Sequence, residues 1–219
     1  MATSASEILK TDANLIDEGL EAGFRVACAG TTVQEIKDAV NKAILNLSSD
    51  ADVRIEVEHG VNPDGSIESA EDTQLENGEL VRICVVGKNR THTIAGGRTS
   101  CVGSASVAQQ GFLDHLAEAS VWFRESLLPG SRRPFVAMET RARLLQVRAG
   151  RLDCDPDAQP LIEIGKPVSL DEHTSLWTET ILTCPEFGTA VTMDMVAITQ
   201  NGADLLTRSE PVLNEHPGG

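Results

Sequence analysis

The order helix, glycine, helix, strands occurs twice along this chain, and that repetition limits its fold more than any other feature. In the first half, apolar residues over residues 6–29 lie mostly three, four or seven positions apart, which is the pattern of one helix face. Gly30 then ends this helix, and an apolar stripe over residues 36–47 predicts a second helix. Thr32 and Glu35 precede that stripe with the spacing of a capping box. The first half therefore begins with a helix pair.

Strands follow this helix pair. Residues 53–57 alternate apolar and charged side chains, as a half-buried strand does, and residues 80–86 and 91–94 predict two paired strands joined by a short turn. Because adjacent glycines interrupt regular structure, we expect Gly96 and Gly97 to break the second of these strands, with a further short strand after them.

The second half shows the same order of elements. Residues 106–127 predict a helix that ends at Gly130, one hundred positions after the corresponding glycine of the first half. Residues 134–147 predict its partner helix, and two long runs at 175–183 and 189–199 predict strands. The amino acids themselves do not repeat, so the repetition is one of structure. It predicts an α+β fold with pseudo-twofold symmetry, in which two helix pairs cover a mostly antiparallel sheet.

The length of the chain favours a single core. With 219 residues, 41% of them hydrophobic, we expect one domain over residues 1–213 and a disordered tail over residues 214–219. No stretch is apolar enough to cross a membrane, and the first twenty residues lack the basic and apolar regions of a leader. We therefore expect no membrane partner.

Charge and cysteine content exclude further classes of function. The formal net charge of −15 repels phosphate backbones, so nucleic acid is not an expected partner. The five cysteines are odd in number and include no C-x-x-C pair, as in proteins of a reducing compartment. These features predict a cytoplasmic protein.

Five short motifs, in a fixed order, resemble one family. They are TVQEI (residues 32–36), LENGELVRICVVG (75–87), GRTSCVG (97–103), LPG (128–130) and DMVAITQNGADLLT (194–207). Together they resemble creatinase, prolidase and methionine aminopeptidase, which share the pita-bread fold. The resemblance runs through most of the chain and implies a curved sheet with its active site in a cleft.

Enzymes of that family usually bind two divalent metals through two aspartates, one histidine and two glutamates, and the resemblance implies where those ligands would lie here. The first aspartate falls on Cys84 and the second at or next to Ala95, while the histidine has no counterpart after Gly150. Glu179 fits the first glutamate, and the second falls on Met193. One ligand of five cannot hold two metals, so we expect neither a metal nor another cofactor.

Four residues are candidates for catalysis. His92 lies on the strand beside the replaced aspartates and could act as a general acid or base, or simply face solvent. Cys84 could act as a nucleophile or be a small buried filler. Glu179 and Asp194 are carboxylates within apolar runs, where a charge needs a specific reason, unless strand alternation turns them outward.

Four more residues are candidates for binding a substrate. Arg98 belongs to an Arg-Thr pair that the family shares, and it could hold a substrate carboxylate or tie strands together. Cys101 lies on the same segment, where a buried apolar role is the alternative. We expect Trp177 and Met193, on the two late strands, to line the same cleft.

Three functions remain open. The leading hypothesis is a metal-independent enzyme that acts on a small polar metabolite by acid–base chemistry, through hydrolysis, elimination or cyclisation, within a specialised biosynthetic pathway. The second is a non-catalytic module that binds peptides or proteins, and the third is a metallopeptidase with substitute ligands. The resemblance also leaves a homodimer open, because relatives often dimerise.

Overall fold

The first helix pair lies where the sequence predicts it. The computed structural model describes residues 5–61, 70–130, 145–151, 161–162 and 175–208. Helix α1 spans Ala5–Val26 and helix α2 spans Val33–Leu47. The capping box at the start of α2 is present: Thr32 N donates to Glu35 Oε2 at 2.8 Å, and Glu35 N donates to Thr32 Oγ1 at 3.2 Å. Gly30 has a positive φ of 87°, a conformation that favours glycine and turns the chain between the two helices.

Three antiparallel strands follow, β1 (Ala51–His59), β2 (Leu80–Asn89) and β3 (His92–Cys101). The predicted break at Gly96 and Gly97 is wrong, because β3 runs through both glycines without interruption. A Cβ at Gly96 would lie 2.2 Å from Ile16 Cγ2 of α1, so this glycine lets the helix approach the sheet closely.

The second half begins with helix α3 (Val107–Glu125), which Ser106 and Gln109 cap as predicted. Four strands pair in succession with the rest of the sheet: β4 (Leu145–Arg151), β6 (Ser175–Cys184), β7 (Gly188–Thr199) and β8 (Gly202–Leu205), with the two-residue β5 (Leu161–Ile162) beside β4. The helix predicted over residues 134–147 is wrong at residues 145–147, which begin β4. Pairing with β6 outweighs the local helical pattern there. Residues 131–144 and the tail 214–219 lie outside the described residues.

One sheet joins these strands in the order β1-β2-β3-β7-β6-β4-β5, with β8 paired to β7. From each edge towards the centre, β1, β2 and β3 of the first half correspond to β4, β6 and β7 of the second. The two halves meet where Gly97 of β3 pairs with Met193 of β7. This arrangement confirms the predicted pseudo-twofold α+β fold with an antiparallel sheet.

The helices pack on one face of the sheet, which we call the helix face. Ile16 and Leu20 of α1 lie against Gly96, and Ile83 of β2 lies near Gly23 of α1. These side chains belong to a continuous buried apolar cluster. Within the described residues no helix is long and apolar enough to cross a membrane.

Candidate functional site

A single row of residues crosses the middle of the sheet on the face opposite the helices. Directly paired positions run from Glu56 (β1) to Cys84 (β2), Gly97 (β3), Met193 (β7) and Glu179 (β6). Directly opposed residues of antiparallel strands point to the same side of a sheet. The contacts agree, because a Cβ at Gly97 would lie 2.8 Å from Cys84 Sγ and 3.3 Å from Met193 Cβ. We call these five residues the central row.

The pseudo-twofold relates two members of the central row. Cys84 pairs with Gly97 in the first half, and Glu179 pairs with Met193 in the second, while Gly97 and Met193 pair with each other across the centre. Cys84 and Glu179 therefore occupy equivalent positions, one on each side of the junction. Ala95 lies two residues from Gly97 on the same strand, so it belongs to the same face.

Charged side chains from β1 and β2 border the central row. Arg82 lies two residues before Cys84 and makes an ion pair with Glu58. Burial lowers the pKa of Arg82, and the neighbouring Cys84, Glu56 and Glu179 oppose that shift. The guanidinium therefore lies within the electrostatic reach of both halves of the row.

The Cys84 thiol is a poor nucleophile in this setting. Burial raises its pKa to about 12, and the Glu179 and Glu56 carboxylates add to that shift, while Arg82 and Arg98 oppose it. At neutral pH the sulfur is therefore protonated.

The positions that the resemblance assigns to metal ligands lie together, but their side chains do not fit two divalent metals. Cys84, Ala95, Met193 and Glu179 offer one protonated thiol, one methyl group, one thioether and one carboxylate. Hard divalent ions need several oxygen ligands. Among the described residues, no three His, Cys, Asp or Glu side chains come together as a metal site.

Arg98 and Asp194 lie on the helix face and bind each other. Arg98 Nη2 donates to Asp194 Oδ1 at 2.5 Å, and Nη1 donates to the carbonyl oxygens of Met193 at 2.6 Å and Gly97 at 2.7 Å. Thr207 Oγ1 donates to Asp194 Oδ1 at 3.0 Å. The arginine thus ties β3 to β7, which was the structural alternative for this residue. Each of the two residues follows a member of the central row by one position, so strand alternation turns both to the face opposite Glu179.

His92 also lies away from the central row. Its Nδ1 is 3.0 Å from Oδ2 of Asp12 on α1, and Asn89 Nδ2 donates to the other oxygen of Asp12 at 2.6 Å. Ser48 Oγ donates to Asn89 Oδ1 at 2.7 Å. This buried polar network joins α1 and the end of α2 to the turn between β2 and β3.

The other three candidates for substrate binding are divided between two places. Trp177 lies two residues from Glu179 on β6 and pairs with Met195, so it shares the face of the central row with Met193. Cys101 lies at the end of β3, four residues from Gly97 or about 13 Å along the strand. It is packed against α3, and burial raises the pKa of its thiol.

Solved structures of proline-specific peptidases superpose on nearly the whole of this chain. The prolidase of Pyrococcus horikoshii OT3 superposes with a TM-score of 0.81 at 20% identity, over 96% of this chain and 64% of that one. The X-Pro aminopeptidase of Thermotoga maritima MSB8 gives a TM-score of 0.80 at 15% identity, over 97% of this chain and 63% of that one. The Xaa-Pro dipeptidase of Bacillus anthracis gives a TM-score of 0.79 at 17% identity, over 96% of this chain and 63% of that one. The chain has the pita-bread fold.

The likeness covers nearly the whole of this chain and less than two thirds of each of these three enzymes. At these identities it shows the pita-bread fold alone. No protein-family model and no curated protein matches the sequence.

Sequence reasoning missed four residues of this pita-bread sheet and its helices: Arg82, Glu56, Glu58 and Asp12. Each had a signal. Arg82 precedes Cys84 by two positions, so strand alternation places both on one face, and Glu56 and Glu58 alternate in the same way on β1. Asp12 falls between Ile8 and Ile16 at spacings of four, which puts a carboxylate within the apolar stripe of α1.

Proposed function

We propose that this chain is a metal-independent enzyme that acts on a small polar metabolite by acid–base chemistry, with Glu179 as the group that moves the proton. The observation that carries the proposal is the position of Glu179. It is 9% exposed, and it lies in the central row opposite Met193, among positions that correspond to metal ligands in the resembling family. A carboxylate buried at such a place is a candidate for acid–base chemistry.

The surroundings of Glu179 suit proton transfer. Buried Trp177 and Met193 reduce the local dielectric, which strengthens the interaction of a carboxylate with a developing positive charge. In the reaction class proposed, Glu179 accepts a proton from a substrate C–H or N–H group, or from an attacking water, and returns it to the leaving atom. Hydrolysis, elimination and cyclisation at a C–N, C–O or C–C bond all fit this step.

Charges of both signs lie around the row. Glu56 makes an ion pair with Arg54 of the same strand, and the register of the sheet places Arg148 of β4 opposite Glu179. This mixture of charges suits a small polar substrate that carries both an amino or guanidino group and an acidic group.

The test is a binding and turnover screen with the full chain. Guanidino compounds, amides and amino acids are titrated by calorimetry, and mixtures with the bound compounds are analysed by mass spectrometry for a product. Glu179→Gln should keep the fold and lose at least about a hundredfold in turnover, because the amide cannot take the proton. Glu21→Gln, on the exposed face of α1, is the matched control and should leave turnover unchanged. Stoichiometric divalent metal in protein purified without chelator would overturn the proposal and indicate a metallopeptidase with substitute ligands.

A non-catalytic module that binds peptides or proteins is the second candidate, and a specific observation favours it. Two of the four catalytic candidates lie on the helix face, where Asp194 binds Arg98 and His92 binds Asp12. A third, the thiol of Cys84, has a pKa of about 12. On the central row, Glu179 is then the one candidate of the four besides the protonated Cys84 thiol. Tight binding without any product, equal in the wild type and Glu179→Gln, would support this function.

The proposal also covers the compartment and the oligomeric state of the protein. We place the protein in the cytoplasm, a reducing compartment, because the four cysteines within the described residues carry free thiols. We also propose a homodimer, which sedimentation at several protein concentrations would reveal as a mass of twice 23.4 kDa.

A further inference from the structure

A cleft lies on the helix face, separate from the central row. It has a volume of about 410 Å³ and lies between α3 and the segment that runs from β8 to Arg208. The Arg98–Asp194 pair borders it, with Ser120 Oγ 3.4 Å from Asp194 Oδ2. Arg98 and Asp194 satisfy each other, so this part of the cleft carries no net charge.

Two further arginines line the same cleft. They are Arg124, on the last turn of α3, and Arg208, whose backbone N–H donates to Asp17 Oδ2 at 2.8 Å. Within the described part of the chain, neither guanidinium makes an ion pair. The described lining holds three arginines and one aspartate, and the Asp17 carboxylate lies beside Arg208, so a net positive charge remains in a chain whose net charge is −15. This cleft therefore attracts anions although the molecule as a whole repels them.

Apolar side chains form the rest of the wall. Leu113 and Leu116 are buried, while Val121 and Leu205 remain 42% exposed. An apolar ligand body that covers Val121 and Leu205 would remove their surface from water, which is favourable in proportion to the area covered. A small inorganic anion would leave this surface uncovered.

We propose that this cleft binds a small organic acid, with its carboxylate on Arg124 and Arg208 and its apolar body against Leu113, Val121 and Leu205. A guanidinium is well matched to a carboxylate because it can donate two parallel hydrogen bonds. The volume is in the range of small-molecule sites, which is roughly 300–1,000 Å³. The inference does not depend on the proposed function, because none of these residues belongs to the central row.

The test uses the full-length chain and four probes in isothermal titration calorimetry. The probes are 3-phenylpropionate, its neutral amide, acetate and inorganic phosphate. The first should bind, and the amide and acetate should bind at least about tenfold more weakly, since one lacks the charge and the other the apolar body. Arg124→Gln and Arg208→Gln should each weaken 3-phenylpropionate about tenfold. Arg25→Gln, at an exposed position of α1, is the matched control and should leave the affinity for 3-phenylpropionate unchanged.

A blocking variant completes the test. Ala117 lies at the exposed surface of α3 and lines the cleft, so Ala117→Phe should fill the cleft without disturbing the core and should abolish binding. The proposal is overturned if the amide binds as well as the acid, if phosphate binds more tightly than 3-phenylpropionate, or if Arg25→Gln weakens binding as much as Arg124→Gln. Failure here is distinct from failure at the central row, because Glu179→Gln should retain the affinity for 3-phenylpropionate.

Discussion

Oδ2 of Asp12 on α1 lies 3.0 Å from Nδ1 of His92 at the start of β3, although the two residues are eighty positions apart in the sequence. Asp12 is buried, and its second oxygen accepts from Asn89 Nδ2 at 2.6 Å. One carboxylate therefore holds two side chains at the end of the β2–β3 hairpin against the first helix.

This network should contribute strongly to stability. Asp12→Ala removes both hydrogen bonds and leaves buried Asn89 without its acceptor, so the free energy of unfolding should fall by about 2–3 kcal/mol. Urea denaturation, followed by circular dichroism, measures this free energy of unfolding. Asp38→Ala is the control: Asp38 accepts only an exposed hydrogen bond from Gln34, so a loss above about 0.5 kcal/mol would be unexpected. Equal losses for the two variants would contradict the network's role.

The Arg98–Asp194 pair should behave as a buried ion pair does. Asp194→Ala leaves a buried guanidinium without its counter-ion and should cost about 3–5 kcal/mol of stability. The double variant Arg98→Met/Asp194→Leu should recover much of this loss, because no buried charge remains. Guanidinium chloride denaturation of the single and double variants provides the comparison. A double variant less stable than Asp194→Ala would show that the bonds from Arg98 to the Gly97 and Met193 carbonyls dominate.

The Cys84 thiol should resist alkylation. With a pKa of about 12, only about one molecule in 10⁴ carries the thiolate at pH 8, so iodoacetamide should modify exposed Cys28 and leave Cys84 intact in the native protein. Mass spectrometry of tryptic peptides after a timed reaction distinguishes the two sites. Rapid modification of Cys84 at pH 8 would restore it as a candidate nucleophile.

The same thiol predicts how stability depends on pH. Because the folded pKa of about 12 exceeds the usual 9.0, the folded protein keeps a proton that the unfolded chain loses. The stability that the protonated Cys84 thiol contributes is fully present below pH 9 and is lost as the pH rises towards 12. Between pH 9 and pH 12 the free energy of unfolding of the wild type should therefore fall more steeply with pH than that of Cys84→Ala. The difference between the two slopes should reach up to about 1.4 kcal/mol per pH unit. Parallel slopes in urea titrations of the two proteins would contradict the shift.

Gly97 should not tolerate a side chain. A Cβ there would lie 2.8 Å from Cys84 Sγ and 3.3 Å from Met193 Cβ, so Gly97→Ala should destabilise the fold by about 1–3 kcal/mol. Adding Cys84→Ala removes the sulfur and should relieve part of the cost. Gly111→Ala, in α3 where an added Cβ meets nothing within 4 Å, should instead stabilise by about 0.5–1 kcal/mol. Thermal denaturation of all three variants compares them.

Patterns between near neighbours were reliable guides to local structure. The capping boxes at Thr32 and Ser106 both start helices, because a side chain three residues away can satisfy the free N–H groups of the first turn. The pattern failed at residues 145–147, where the partner strand β6 supplies hydrogen bonds from thirty or more residues away. It failed at Gly96 too, where the reason for a glycine is the side chain of Ile16 on a helix far upstream.

The sequence by itself determined the order of helices and strands, because helix stripes, strand alternation and turn glycines are local properties. The resemblance of its motifs to one family then implied the pita-bread fold. It also placed Cys84, Ala95, Met193 and Glu179 at corresponding positions, and the register of the sheet puts them on one face. Only the tertiary structure separated Arg98, Asp194 and His92 from that face. Strand alternation separates adjacent residues, but which face of the sheet the helices cover depends on contacts between residues up to ninety-six positions apart. Those contacts are made by packing, and no local pattern encodes them.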